Sequence, residues 1–87
     1  MSKYEIGMLA KSKAGHDDKK VYMILDMDDS YVYLVDGLIR TIDKPKKKKK
    51  KHVQIIESRY DISAIDDVAI KRILKEYKEE KLINEED

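Results

Sequence analysis

Six lysines in a row, Lys46–Lys51, stand inside this sequence, preceded by Lys44-Pro45 and followed by His52. Side chains of one sign repel one another, and an ammonium resists burial without a partner. Such a run stays out of any core and forms no stable strand on its own. Pro45 keeps the residue before it out of helical geometry and starts the run extended. The sequence therefore predicts a mobile, strongly positive loop from Asp43 to about Lys51, with the fold built on either side of it.

On the N-terminal side, residues 5 to about 57 read as short strands broken by turn signals. Ile6 to Lys13 is a first, irregular strand, followed by the polar turn Ala14-Gly15-His16-Asp17-Asp18. Val21 to Met27 is a continuous apolar run of strand length, suited to a central strand. Asp28-Asp29-Ser30 marks a turn. Tyr31 to Val35 is aromatic and β-branched and ends at Asp36-Gly37, a hairpin signal because Gly supplies the positive φ of a tight turn. Leu38 to Ile42 is read as the returning arm, and Val53 to Ile56 as the last strand. Five short strands in some 50 residues predict a mainly β fold, a five-stranded SH3-like barrel over residues 1–57.

The period then changes. Ile65, Val68, Ala69, Ile73 and Tyr77 recur at helical spacing, widened by Ile70 and Leu74. This predicts an amphipathic helix over about 64–82 within a C-terminal segment, 58–87, that ends in an acidic tail expected to fray. Ser63 with Asp66 resembles a capping box, and Arg72–Glu76 and Lys75–Glu79 are spaced to pair on the outer face. The helix is expected either to plug one open end of the barrel or to dock on a partner.

The net charge of +1 conceals a polarity. Residues 1–60 hold 14 Lys and Arg against 9 Asp and Glu, whereas residues 61–87 hold 5 against 9. A basic contact surface joined to an acidic appendage is the expected arrangement. With no cysteine in the chain, disulfides and thiolate metal sites are excluded. Neither a signal peptide nor a membrane-spanning run is visible, so the chain reads as cytoplasmic, with no membrane partner.

Catalysis finds little support. His16 and His52 lie in charged loops without the ordered neighbours of a general base, and no nucleophile stands out. Asp26-Met27-Asp28-Asp29-Ser30 has Tyr31 where a calcium loop needs Gly, so it reads as an acidic turn. No enzyme activity, cofactor or metal is expected. The lysine run instead suits a polyphosphate, and lysine reads phosphate better than bases. Lys44, Lys46, Lys47, Lys48, Lys49, Lys50, Lys51 and His52 are the main candidate contacts, with Arg40 on the returning arm beside them. Lys11, Lys13, Lys19 and Lys20 could extend the basic surface. Tyr31 and Tyr33 share a strand face and could stack on bases or cover the core.

Glu5-Ile6-Gly7, Lys13-Ala14-Gly15, the Val21–Leu25 run and Val35-Asp36-Gly37 together resemble the KOW family of SH3-like barrels. The likeness is to large-subunit ribosomal proteins of archaea and eukaryotes and to small bacterial relatives. That resemblance implies an RNA-binding barrel, often ribosome-associated, with RNA contacts at Lys13, Gly15, His16, Lys19 and Lys20. The expected partner is RNA, ribosomal RNA among the candidates, with a translation-associated role. The alternative is an adaptor that binds a ribosomal or transcription-machinery protein through the barrel and the C-terminal helix.

Overall fold

The densest apolar run becomes the middle of the sheet, because both of its faces can be buried. In the computed structural model, which describes residues 3–13 and 20–85 (backbone alone at 57, 58 and 81–85), Val21–Met27 is β2, with Val21, Tyr22, Met23 and Ile24 all buried. It is flanked by β1 (Met8–Ser12) and β3 (Tyr31–Val35); β4 (Lys46–Lys49), a 3-10 turn (Lys50–His52), β5 (Val53–Arg59) and helix α1 (Asp67–Glu85) follow. All ladders are antiparallel, in the order β4-β3-β2-β1-β5.

This order corrects the expected barrel. β4 and β5 are the two edges, no ladder joins them among the described residues, and the sheet stays open. The 3-10 turn redirects the chain after four residues of β4, and β5 pairs along β1 from Ser12↔Val53 to Met8↔Arg59. A strand of four lysines offers no apolar side chain to hold β5 on its outer edge.

The fourth strand also lies elsewhere than predicted. Leu38–Ile42 forms bends and a turn, while the lysines expected in a loop form β4 against β3. The cause is Asp36, only 7% exposed. Its Oδ1 accepts the amides of Leu38 (2.9 Å) and Arg40 (2.8 Å), and the Arg40 carbonyl accepts the amides of Asp36 and Gly37. The loop closes on its own side chain, and a two-residue hairpin is lost to it. Gly37, at φ +77°, brings this loop against α1: a Cβ there would strike the Asp67 carbonyl and come within 2.8 Å of the Lys71 nitrogen. From the helix side, Asp67 Oδ1 accepts the Ile42 amide at 2.9 Å.

Both faces of the sheet are buried. On one, Leu9, Val21, Met23 and Val35 pack with Ile70 and Leu74 of α1. On the other, Ala10, Tyr22, Ile24, Val32, Leu34 and Val53 form a second cluster, with Tyr4, Met8, Met27 and Ile55 against it. Among the described residues no helix side chain packs in that second cluster. The ladders shift register at Met8/Leu9 and Ile24/Asp26, and such a bulge increases local twist. Gly7 holds the N-terminal entry: its amide donates to the Ile24 carbonyl, its carbonyl accepts from Tyr60, and at φ +93° a Cβ would meet the Tyr60 carbonyl.

The helix starts later than predicted because Asp66, not Ser63, is its cap: Asp66 Oδ1 accepts the Ala69 amide at 2.8 Å. Ser63 instead donates its amide to Asp61. The buried stripe is Ile70 and Leu74 with Ile73 and Tyr77 beside them; Val68, expected in it, is 75% exposed. Neither Arg72–Glu76 nor Lys75–Glu79 closes an ion pair among the described residues. Among those residues no helix is long and apolar enough to cross a membrane.

Two outcomes test this packing by urea unfolding. Ile70→Ala should cost about 2–5 kcal/mol and Val68→Ala no more than about 0.5. Gly37→Ala should cost about 2–4 kcal/mol, combining left-handed backbone strain with the collision against α1.

Candidate polyanion interface

Strand alternation divides the lysines of β4 between two faces. Lys47 and Lys49 stand opposite Tyr33 and Tyr31, while Lys46 and Lys48 stand opposite Leu34 and Val32. The first pair is exposed and the second half-buried. Half-burial of a lysine means a covered stem with a solvated head. Tyrosine rings take part in this. The Lys47 ammonium lies 4.3 Å from the centre of the Tyr31 ring, and those of Lys46 and Lys20 lie 5.6 and 5.3 Å from that of Tyr22. Each such contact contributes about 0.5–1 kcal/mol at an exposed site. Backbone pairing to β3 and the rings together make a strand of residues that would not form one alone.

In the turn that follows, Lys50 and His52 are anchored by their backbone. The Lys50 amide donates to the Ser30 carbonyl (2.9 Å), and the Tyr4 hydroxyl donates to the Lys50 carbonyl (2.8 Å). The ammonium groups of Lys3 and Lys50 lie 5.5 and 5.6 Å from the centre of the Tyr4 ring. The Lys13 amide donates to the His52 carbonyl at 3.0 Å, which joins the end of β1 to the start of β5. Two shallow clefts result. One is lined by Ser30, Tyr31, Lys49, Lys50 and Lys51, the other by Ser12, Lys13, Lys48, Lys51 and His52. Ammonium groups, a hydroxyl and an imidazole beside one another are donors suited to phosphate oxygens.

The structure gathers Lys13, the six lysines and His52 into this region, and leaves others apart. Lys20 is committed to Asp36 at 3.0 Å, and Arg40 is half-buried in the Asp36 loop beside α1. Lys44 is exposed in the turn before β4. Gly15, His16 and Lys19, with the rest of the predicted 14–18 turn, lie outside the described residues. The tyrosine face is partly occupied: Tyr31 lies beneath Lys47, and the Tyr33 hydroxyl donates to Asp28 Oδ2 at 3.0 Å. Tyr4 and Tyr22 gave no signal in the sequence, because their contacts with Lys50 and Lys46 span more than 20 positions.

The acidic turn is a structural device. Asp28 Oδ1 accepts the amides of Tyr31 (2.8 Å) and Ser30 (3.0 Å). Those amides, the Tyr33 hydroxyl and the charge of Lys47 hold its carboxyl below the usual carboxylate range, against a smaller opposing effect of burial. The same contact with Asp28 raises the Tyr33 phenol. No group of three or more His, Cys, Asp or Glu that could hold a metal ion occurs among the described residues.

No protein-family model matches the chain, and no curated protein is detectably similar to it. The open sheet overturns the SH3-like barrel, and β4 stands where the lysine-rich loop was expected; no family match supports the KOW resemblance or a ribosomal or translation role. The lysines themselves remain, as an edge strand and turn.

A carboxylate with a depressed folded pKa stabilises above its unfolded pKa, and that contribution is lost as pH falls through the folded value. Asp28→Asn should therefore show a smaller drop in Tm than the wild type between about pH 6 and pH 3. An equal drop in both proteins would remove Asp28 from the acid response.

Proposed function

We propose that this protein binds RNA through the phosphate backbone, along β4 and the 3-10 turn that follows it. One observation carries the reading: of six consecutive lysines, four are held by a ladder to β3 and Lys50 by the Ser30 and Tyr4 anchors, with Lys47, Lys49 and Lys51 exposed. A free lysine tail must be ordered on binding, at about 0.5–1.5 kcal/mol per side chain. A backbone already fixed in a strand lowers part of that cost. Lysine is a point charge on a flexible stem, so the contact reads phosphate and shape, with little discrimination among bases.

The affinity should fall steeply with salt. Neutralising four to six phosphates gives a slope of about −3 to −5 in log K against log salt, read by fluorescence anisotropy with an RNA oligonucleotide. The triple variant Lys47→Ser, Lys49→Ser, Lys51→Ser changes exposed side chains only and should reduce that slope by about 2 to 3. An unchanged slope and affinity in the folded variant would assign the contact to another surface.

A further inference from the structure

A second basic surface lies on α1, and its surroundings differ from those of β4. Positions 71, 75 and 78 fall on one flank of the helix, and all are lysine; Glu76 and Glu80 fall on the opposite flank. The lysine flank borders a groove between α1 and the sheet, with Val21, Leu38 and Leu74 as its apolar lining. None of Lys71, Lys75 and Lys78 has a carboxylate partner among the described residues. Two carboxylates reach the groove. Asp36 is occupied by Lys20 and by the amides of Leu38 and Arg40, which leaves Glu79 as the other.

Leu38 is 64% exposed and its neighbour Ile39 69%. The loop that carries them is held rigidly by Asp36 and by the contact of Gly37 with α1, so their exposure comes with a fixed position. Exposed apolar side chains presented on an ordered loop and rimmed by polar groups are the pattern of a protein contact. The apolar lining disfavours a nucleic-acid backbone, which gains nothing from covering Leu38. The lysine rim selects against basic partners and in favour of acidic ones.

We propose that this groove is a docking site for an acidic peptide segment of a partner protein, seating an apolar side chain on Leu38 and Leu74 while its carboxylates meet Lys71, Lys75 and Lys78. The site is separate from the RNA contact on β4 and stands whether or not that contact exists. Charge supplies the approach and the apolar anchor supplies the selectivity.

The test uses the whole protein and a fluorescein-labelled synthetic peptide of about 12 residues, Glu-rich with Leu at helical spacing. A control peptide carries Ser in place of each Leu. The expected result is saturable binding of the Leu peptide, at least tenfold stronger than that of the Ser peptide. Leu38→Ser, or Lys71→Glu with Lys75→Glu, should weaken it tenfold or more. The triple serine variant of β4 should leave it unchanged, and Glu79→Gln should tighten it about two- to threefold. Amide and methyl NMR shifts on titration should centre on Leu38, Leu74 and Lys75. Equal binding of both peptides, loss of binding in the β4 variant, shifts centred outside the groove, or no saturable binding would each overturn the proposal. So would loss of RNA affinity in the α1 charge variant with peptide binding retained, because the groove would then be a nucleic-acid surface. The substituted side chains are exposed, and circular dichroism of each variant separates a binding effect from a folding one.

Discussion

The carboxylate of Asp36 is the constraint from which most of the architecture follows. Burial pushes its carboxyl up, but the Leu38 and Arg40 amides and the Lys20 ammonium outweigh that, and it is held below the ordinary carboxylate range. A buried charge is tolerable only when it is paired and hydrogen-bonded, and here both conditions are met. Because this side chain consumes the loop's donors, the chain after β3 does not turn back as a hairpin. It closes into a compact loop, meets α1 through Gly37, passes Ile42 to Asp67, and only then returns beside β3 as β4. The helix position, the exposure of Leu38 and the placement of the lysines are consequences of that one closure.

A strand of four lysines looks improbable until the energies are compared. Same-face neighbours along a strand are about 7 Å apart, and two unit charges at that separation in water repel by about 0.6 kcal/mol. Screening at physiological salt reduces this further, over a Debye length of about 8 Å. Against it stand ladder hydrogen bonds worth roughly 1 kcal/mol each and ammonium–tyrosine contacts worth about 0.5–1. Alternation sends adjacent lysines to opposite faces, which removes the closest repulsions. The repulsion is the smaller effect, and the strand forms. Edge strands also invite pairing with other chains, and a row of lysines is one of the established ways in which such pairing is suppressed. Charge at this edge is thus compatible with both a solvated, guarded edge and a phosphate contact, and the salt slope separates the two.

The parts of the fold written in contiguous residues were legible in advance. Val21–Met27 and Tyr31–Val35 are strands at the predicted bounds because their apolar and aromatic content is local. Most of what failed depended on partners distant in sequence. Asp36-Gly37 carries a hairpin signal that the Asp36 side chain itself overrides by taking the Leu38 and Arg40 amides; the distant part is the helix some 30 residues later, against which Gly37 must fit without a Cβ. Lys46–Lys49 has poor strand propensity, and only β3 and the tyrosine rings reveal it as one. On the helix, Val68 fits the apolar period, yet the face turned to the sheet carries Ile70 and Leu74, and Val68 is exposed. The lysine cluster was legible as charge. Its division by strand alternation, and the part Tyr4 plays in holding the turn, were not.

The two basic surfaces illustrate why charge alone does not define a ligand. Before contact, within about a Debye length, both attract any anion, and neither distinguishes RNA from an acidic peptide. Discrimination begins on contact, when water leaves. On β4 the lysine stems lie beside tyrosine rings, and the clefts carry ammonium and hydroxyl donors for which an ordered phosphate can exchange its water. Along α1 the lysines border Val21, Leu38 and Leu74, and an incoming apolar side chain gains about 25 cal/mol for each Å² it covers, which a phosphate cannot. The ammonium groups are chemically identical in both places. The surfaces differ in what those groups surround, and that neighbourhood was set by the closure of the Asp36 loop against the helix.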